Sequence, residues 1–283
     1  SRPTYTETEN DLTVKANKRT FIFSKKDGQL KGISVDNRKI SFANGPRFIG
    51  ARRADRSLDQ FYNHDDEKAK EKDRTYSEFP DAAVFTKLDV KEDGGNLVVT
   101  ANYKLGNLDK AQWTINPSGE LALDYTYNFS GVVDLMGIRF DYPEDQVISK
   151  RWLGAGPYRV WQNRIHGTQY DVWENDYNDP IPGETFTYPE FKGYFGDVSW
   201  MNIQTKEGTI SLTNETPDTY IGVYQPRDGR DRLLYTLPES GISVLNVIPP
   251  VRNKVNSTDL CGPSSQPKWV NGPQTGRVIF RFM

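Results

Sequence analysis

The chain has 283 residues, which is enough for one large domain or two small ones. Its 36 Lys and Arg against 38 Asp and Glu give a net charge of −2, and this balance provides no electrostatic reason to expect nucleic acid or an anionic membrane as partner. The single cysteine, Cys261, excludes an internal disulfide, a cysteine-rich zinc site and an iron–sulfur cluster. No stretch approaches the roughly 20 apolar residues of a membrane span. The start, Ser1-Arg2-Pro3, has no signal-peptide core and is expected of a piece of a longer protein.

Short runs of alternating apolar and polar residues predict an antiparallel β protein. The first run, residues 20–23, leads into an Asp27-Gly28 turn, and residues 30–35 alternate again. The later runs lie at residues 97–103, 111–115, 121–127, 208–212, 220–224, 242–247 and 276–282. Because 23 Gly and 17 Pro separate these runs at the spacing of turns, the pattern indicates a meander of antiparallel strands.

Helical periodicity is nearly absent from the sequence. The best candidate, residues 57–72, is poor in apolar side chains, and the mixed charges of residues 65–74 favour a solvated loop. No Pro- or Ser-rich linker and no repeat of fixed period divides the rest of the chain. We therefore predict one large all-β domain over residues 12–283, with residues 1–11 as a linker or tail from a preceding domain.

The densest group of candidate binding side chains lies in the middle of the chain. Within fifteen residues the sequence places Trp161, Asn163, Arg164, His166, Tyr170, Trp173, Glu174 and Asn175. Sugar recognition uses this combination, because an aromatic ring stacks on the C–H face of a pyranose while polar groups bind its hydroxyls. The alternative is that the tryptophans are core residues of a large β-sandwich.

Acid–base and metal chemistry have few candidate residues. Of the two histidines, His64 lies in the charged run, and His166 lies among the aromatic residues, where it could transfer a proton or bind a sugar hydroxyl. No Ser-His-Asp arrangement can be assembled. Four acids have the close spacing that calcium would need, but they lack the EF-hand pattern and ordinary Asx turns account for them: Asp171, Glu174, Asp176 and Asp179. We expect no bound metal and no cofactor.

One segment carries a family resemblance. Residues 148–157, Ile-Ser-Lys-Arg-Trp-Leu-Gly-Ala-Gly-Pro, precede Asn163-Arg164 and an aromatic run at 170–173. This order resembles the C-terminal domain of long bacterial beta-galactosidases of glycoside hydrolase family 2, in which Trp-Leu-Gly-x-Gly-Pro precedes an Asp-Arg pair. Other segments similar to that domain are residues 23–30, 44–48 and 136–140. The resemblance spans roughly residues 12–283 and implies a large antiparallel β-supersandwich of the galactose mutarotase-like type, the fold also used by aldose epimerases.

The resemblance also implies a role and reveals departures from the family pattern. In the family this domain packs against a separate catalytic barrel and lends a Trp to the sugar site. Spacing from Gly262 puts Gln266 at that place, with Trp269 three residues later, and both assignments stay open. Asn163 replaces the family's Asp. Glu190 matches a Glu of the family's Pro-x-Glu-x-Gly run at an altered spacing, which implies another sugar preference.

The first functional hypothesis is a C-terminal accessory domain of a family 2 glycosidase that takes part in polysaccharide degradation. Retaining glycosidases need two carboxylates held about 5 Å apart, and family 2 carries them on a helix-rich barrel of roughly 250 residues. This chain has neither the spare length nor the helices, so we expect it to be non-catalytic alone. Its expected partners are the barrel of the same parent chain and carbohydrate. The predicted carbohydrate-binding residues are Trp161, Arg164, His166, Trp173 and Trp269.

Two alternatives belong to other classes of protein. An aldose 1-epimerase-like enzyme would use His166 as acid and a carboxylate, Glu190 or Glu174, as base. A free carbohydrate-binding module would expose several tryptophans on one face: Trp161, Trp173, Trp200 and Trp269. Whether the chain is an enzyme in its own right stays open at this point. The family resemblance and the start of the chain lead us to expect a periplasmic or secreted protein.

Overall fold

The computed structural model describes residues 1–53, 75–178, 189–227, 233–251 and 262–283. Several features of the sequence lie outside the described residues, namely the helix candidate 57–72, the charge run 65–74, His64, Asp179 and Cys261. Within the described ranges no helix has the length and apolar character that crossing a bilayer requires.

The described ranges form 22 strands, three short 3-10 helices and no α-helix. The strands are β1 Thr4–Glu7, β2 Asp11–Ala16, β3 Arg19–Ser24, β4 Leu30–Val35, β5 Arg38–Ile40, β6 Ala43–Arg53, β7 Tyr76–Glu78, β8 Val84–Asp93, β9 Asn96–Lys104, β10 Leu108–Ile115, β11 Leu121–Asn128, β12 Gly131–Val133, β13 Leu135–Asp141, β14 Val147–Gly156, β15 Gln169–Asp176, β16 Phe195–Gly196, β17 Trp200–Thr205, β18 Gly208–Asn214, β19 Tyr220–Gly222, β20 Ile242–Val247, β21 Lys268–Val270 and β22 Pro273–Phe282. The 3-10 helices are Glu144–Gln146, Pro189–Phe191 and Pro263–Ser265.

Two large antiparallel sheets face each other. The eleven-stranded sheet runs β1-β2-β3-β4-β6-β13-β20-β19-β16, with β5 paired to β4 and β7 paired to β6. The nine-stranded sheet runs β15-β14-β17-β18-β22-β11-β10-β9-β8. The short strands β12 and β21 pair with each other and form a two-stranded ribbon. The antiparallel all-β fold predicted from the sequence is confirmed.

The alternation of apolar residues along the strands builds the core between the two sheets. In β10 and β11 Trp113 lies opposite Leu123 and Ile115 opposite Leu121, and all four side chains are buried. The Trp113 ring packs 5.9 Å from the ring of Phe140, which belongs to the other sheet. Every second side chain along these strands therefore points inward and packs against the opposite sheet, as strand geometry requires.

A second apolar cluster covers the outward face of the eleven-stranded sheet. Ile49 and Leu245 belong to this cluster, whereas their strand neighbours Phe48 and Val244 belong to the core between the sheets. Successive side chains of a strand point to opposite faces, so the second cluster lies outside the sandwich. Its other members are the strand residues Ala51, Tyr76 and Leu135, and residues outside the strands, namely Val160, Trp161, Tyr194, Tyr235, Ile248 and Val251.

The first residues of the chain contribute to the sheet. Residues 1–11, expected to be a linker or tail, contain β1, which pairs in antiparallel fashion with β2 at the edge of the eleven-stranded sheet. The boundary of the domain at residue 12 and the presence of a preceding domain stay predictions.

Candidate functional site

The predicted site residues gather around the segment that follows β14, residues 157–168, which we call the corner loop. Val160 pairs with Tyr194, because each backbone N–H donates to the other's carbonyl, at 2.7 and 2.8 Å. The backbone N–H of Gln162 donates to the Pro249 carbonyl at 3.1 Å. The corner loop is therefore tied to the residue directly before β16 and to the segment that follows β20.

Trp161 is a core residue of the corner. Its side chain is fully buried, and its ring lies edge-on to the rings of Tyr194, at 5.8 Å, and Tyr235, at 5.5 Å. No face of this ring is open to a ligand. The expected sugar contact at Trp161 therefore does not occur in this arrangement, because the indole fills the second apolar cluster instead.

The buried side chain of Arg159 holds the start of the corner loop against neighbouring segments. Its guanidinium is buried, lies 5.1 Å from the Tyr224 ring and 5.9 Å from the Phe195 ring, and donates to the Asn178 Oδ1 at 2.6 Å. Burial lowers the pKa of Arg159 to about 10 and raises the pKa of Tyr224, because each environment disfavours the charged form. Sequence reasoning missed Arg159, and nothing in the local pattern distinguishes it from a surface arginine.

The residues Arg164, His166 and Glu190 lie around the packed rings of Tyr158 and Phe191. The Arg164 guanidinium lies 5.6 Å from the Phe191 ring, next to Glu190 on its 3-10 helix. The Tyr158 hydroxyl donates to the His166 carbonyl at 2.9 Å, and the Tyr158 ring packs 4.9 Å from that of Phe191.

The His166 and Glu190 side chains are not joined to each other. One carboxylate oxygen of Glu190, Oε2, is buried and has no hydrogen-bond partner. His166 is exposed, and within the described part of the chain its imidazole makes no hydrogen bond or ion pair with a carboxylate. The acid–base pair that an epimerase needs is thus not assembled among these residues.

Two amide side chains attach the corner loop to the segment that leads to Trp269. The Gln162 Nε2 donates to the carbonyls of Ser264, at 2.5 Å, and Gln266, at 2.7 Å. The Asn163 Nδ2 donates to the Val251 carbonyl at 2.7 Å and to the Ser265 Oγ at 3.0 Å. We call Gln162 and Asn163 the amide clamp. The sequence signal for it was the replacement of the family's Asp by Asn163, and Gln162 gave none.

Asn163 makes a reciprocal contact that an ionised aspartate in its place could not make. Its Oδ1 accepts from the Val251 N–H at 2.9 Å, while its Nδ2 donates to the carbonyl of the same residue. An ionised carboxylate has no hydrogen to donate. The departure from the family pattern is therefore explained by the local hydrogen bonding.

Trp269 is an exposed aromatic residue beside the corner. It lies on β21, opposite Val132 of β12, and 75% of its surface is exposed. The Gln266 carbonyl accepts from Gln162, and Gln266 is half-buried. Of the two residues left open by sequence reasoning, Trp269 presents the ring that could meet a ligand.

The tryptophans Trp173 and Trp200 do not share a face of the nine-stranded sheet. Trp173 lies opposite Trp152 of β14, and Trp200 lies opposite the next residue, Leu153, so the two rings point to opposite faces of the nine-stranded sheet. The Trp173 indole N–H donates to the Gln169 carbonyl at 3.1 Å. The single aromatic face that a free binding module would show is not formed by these residues.

The described residues contain no group of three or more His, Cys, Asp or Glu side chains placed to hold a metal ion. The acids considered for calcium, Asp171, Glu174 and Asp176, lie along the edge strand β15. They are exposed to solvent. Their positions are those of a solvated strand edge.

The architecture defines a class of protein. The galactose 1-epimerase from Lactobacillus acidophilus NCFM superposes with a TM-score of 0.51 at 9% identity, covering 100% of this chain and 99% of that chain. Two further structures superpose with lower TM-scores. They are HI1317 (0.41, 8% identity, 100% of both chains) and the GalM/aldose epimerase homologue from C. elegans (0.37, 7% identity, 99% of both chains). The fold is a galactose mutarotase-like β-supersandwich, as predicted.

Sequence comparison supplies the family. The model described as "Beta galactosidase small chain" matches residues 15–249, and the chain belongs to that family. No curated protein sequence matches this chain. The resemblance noted from residues 148–157 is thereby confirmed.

Proposed function

We propose that this chain is the accessory domain of a family 2 glycosidase, non-catalytic alone, which packs on a catalytic barrel and contributes an aromatic ring to its sugar site. The observation that carries the proposal is Trp269. Its ring is three-quarters exposed. It lies on the hydrogen-bonded ribbon formed by β12 and β21, and the amide clamp holds the segment that leads into β21. A large exposed ring in a fixed position is suited to stacking on a sugar.

Exposed apolar side chains near the corner support a covering partner. Ile165, Tyr170 and Val172 follow one another along the corner loop and β15, and their exposed fractions are 40%, 59% and 41%. Antiparallel strands normally direct polar residues to solvent, so apolar side chains gathered there favour an interface. The proposed barrel would cover them.

The epimerase alternative has less support. His166 lacks a carboxylate partner in the described chain, and the outward face of the eleven-stranded sheet beside it is filled by the side chains of Trp161, Tyr194 and Tyr235. A sugar between an acid and a base would need that space. The likeness to a galactose 1-epimerase is one of fold, and fold does not carry function.

The test compares variants of the parent glycosidase, barrel and this domain together. Trp269→Ala is expected to lower kcat/KM about tenfold, as the loss of one stacked ring in a closed site would. Leu105→Ala is the matched control, since Leu105 is 82% exposed in the turn between β9 and β10 and is expected to leave kcat/KM unchanged. Equal kcat/KM for Trp269→Ala and the parent enzyme would contradict the proposal.

A second measurement addresses the epimerase directly. The interconversion of α- and β-galactose is followed by polarimetry with the 283-residue chain and with its His166→Ala variant. We expect no acceleration by either protein. Acceleration that disappears in His166→Ala would replace the accessory domain by an epimerase.

We also propose a periplasmic or secreted location, since the proposed substrates are polysaccharides. Cell fractionation followed by immunodetection tests it. Recovery of the parent protein in the cytoplasmic fraction alone would refute the location and leave the proposed role of Trp269 untouched.

A further inference from the structure

The strand β15 forms one edge of the nine-stranded sheet. It is hydrogen-bonded to β14 on one side and to no strand of the described ranges on the other. Its eight residues pair with β14 in an unbroken register from Gln169 to Asp176. A straight edge of this length is a template on which a further strand can pair.

Two hydrogen bonds show which backbone groups of β15 point away from β14. The Leu153 carbonyl accepts from the Ser199 N–H at 2.8 Å, on the side of β17, and the Val172 N–H donates to the Asp171 Oδ1 at 2.7 Å. Leu153 and Val172 lie opposite each other, so they form a pair without mutual hydrogen bonds. Because the two kinds of pair alternate, every second residue over positions 170–174 directs its N–H and C=O away from the sheet. We call these the edge residues: Tyr170, Val172 and Glu174.

The other ends of the two large sheets carry the usual protection of edge strands. β1 has four residues and β16 has two, so each offers few backbone groups. β8 has ten residues, but its register shifts between Phe85 and Lys87, and Lys91 adds a second lysine. β15 has no lysine, arginine, proline or register shift. Since long edges are normally blocked by such features, the regular edge of β15 is suited to pairing.

The outward face beside this edge is apolar. Tyr170 and Val172 are exposed, as described above. Val172 lies opposite Leu153, and Leu153 lies opposite Trp200 on β17. Trp152, the neighbour of Leu153, points into the core, so this row of three side chains lies outside the sandwich. An apolar side chain opposite Val172 on an added strand would extend the row and lose contact with water.

The charge of β15 restricts which strand can pair with it. Asp171, Glu174 and Asp176 are exposed, and within the described part of the chain they form no ion pair. Arg151 lies opposite Glu174 on β14 and forms no ion pair with it. A second copy of β15 would add three more carboxylates and no basic side chain, which disfavours self-pairing. A basic strand would instead place opposite charges next to these acids.

We propose that β15 is a strand-addition site that binds a basic extended segment, with an apolar side chain opposite Val172, as a tenth strand of the sheet. The inference rests on the proposed function for the source of this segment, which is the catalytic part of the parent chain. It goes further by naming backbone pairing as the mode of contact. Main-chain hydrogen bonds from the edge residues would supply affinity, and the acids would select the partner.

Amide hydrogen exchange at single-residue resolution, read by mass spectrometry, compares the 283-residue chain with the parent glycosidase. In the chain alone the amides of the edge residues should exchange at least tenfold faster than those of Asp171 and Trp173, whose N–H groups point to β14. In the parent we expect the edge residues to slow at least tenfold, while Asp171 and Trp173 change little. This alternation distinguishes a paired strand from a surface that is merely covered.

A pair of matched variants tests the charge and the position of the site in the parent. Val172→Lys places a like charge against the basic segment and is expected to abolish the added protection of Tyr170 and Glu174. Val84→Lys is the control, because Val84 is 44% exposed on β8, at the opposite edge of the same sheet. It should leave exchange in β15 unchanged.

A synthetic octapeptide of alternating valine and lysine tests the edge without the parent. One register places valine opposite Val172 and lysine opposite Asp171. We expect saturable binding to the 283-residue chain that weakens as salt is added, because opposite charges contribute. The same peptide with N-methylated valines keeps every charge but loses the N–H groups that would pair with the edge residues. It is expected to bind at least tenfold more weakly.

Three results would overturn the proposal. They are added protection in the parent that is absent or does not alternate, equal affinities of the two peptides, and self-association of the 283-residue chain that Val172→Lys abolishes. The last result would assign β15 to a second copy. The Trp269→Ala measurement is independent of all three: an unchanged kcat/KM beside alternating protection would contradict the proposed role of Trp269 and support strand addition.

Discussion

Replacing Asn163 by Asp tests the amide clamp by exchanging only the side-chain NH2 group for an oxygen. The aspartate keeps an acceptor for the Val251 N–H but, when ionised, has no hydrogen for the Val251 carbonyl that Asn163 contacts at 2.7 Å. The carboxylate then faces a carbonyl oxygen, and one backbone acceptor is left without its partner. Once protonated, the aspartic acid can donate to that carbonyl and restore the reciprocal pair.

The free-energy cost of Asn163→Asp follows from the hydrogen bond that the variant loses. A half-buried acceptor without a partner costs about 1–3 kcal/mol, and about 2 kcal/mol corresponds to roughly 30-fold more frequent opening of the segments that the clamp holds. The pKa of the new carboxyl is expected to lie above its ordinary value of about 3.9 because its charged form faces the carbonyl. The direction of the pH dependence follows from this raised pKa. The stability of the clamped segments in the variant is closest to that of the parent below about pH 4, and the difference in stability grows as pH rises through the raised pKa.

Hydrogen exchange of the 283-residue chain measures this opening directly. Peptides covering residues 248–251 and 262–270 are compared between Asn163→Asp, Asn163→Ala and the parent at pH 4.5 and pH 8, after correction for intrinsic exchange. We expect Asn163→Asp to exchange roughly 30-fold faster at pH 8 and to approach the parent at pH 4.5, with Asn163→Ala equally fast at both. Parent-like exchange of Asn163→Asp at pH 8 would refute the reasoning.

Two further predictions concern the sandwich. Trp113→Ala is expected to lower the free energy of unfolding, measured in urea, by about 3–5 kcal/mol, because the fully buried ring fills the centre of the core. Trp269→Ala should lower it by less than about 0.5 kcal/mol. Equal losses of stability in the two variants would contradict the assignment of Trp113 to the core and Trp269 to the surface. Burial, opposed in part by Thr216, raises the pKa of Tyr125 to about 12, so the stability it contributes is complete below pH 10 and lost as pH rises towards 12. Phenolate absorbance and near-ultraviolet circular dichroism, read together across pH 9–12, should change in step above pH 10, and full tyrosine titration near pH 10 with native dichroism would contradict this.

The strands were predictable because their signal is local. Residues 111–115 and 121–127 carry their alternation within single strands, and the turn at residues 116–120 fixes the register. The pairing order was not predictable, since β22 at the end of the chain inserts between β18 and β11. Such neighbours are set by contacts across the whole sequence, which no short window contains.

The candidate site was predictable in its residue types and only partly in its geometry. Trp161 and Trp269 carry the same indole, yet one is enclosed by Tyr194 and Tyr235 and the other lies on a ribbon. Their difference arises from segments distant in sequence. The choice between Gln266 and Trp269 needed the strand that pairs with residues 268–270, because strand pairing decides which side chain points outward.

The ribbon has a consequence for how related chains can change. β12 continues the direction of β11 and β21 leads into β22, and the backbone groups of Phe129 and Gly272 hydrogen-bond to each other across the join. Lengthening both strands by two residues would carry the indole about 7 Å farther on the same side, whereas one residue would turn it to the opposite side. The reach of Trp269 can therefore vary in discrete steps during evolution while every core side chain stays where it is.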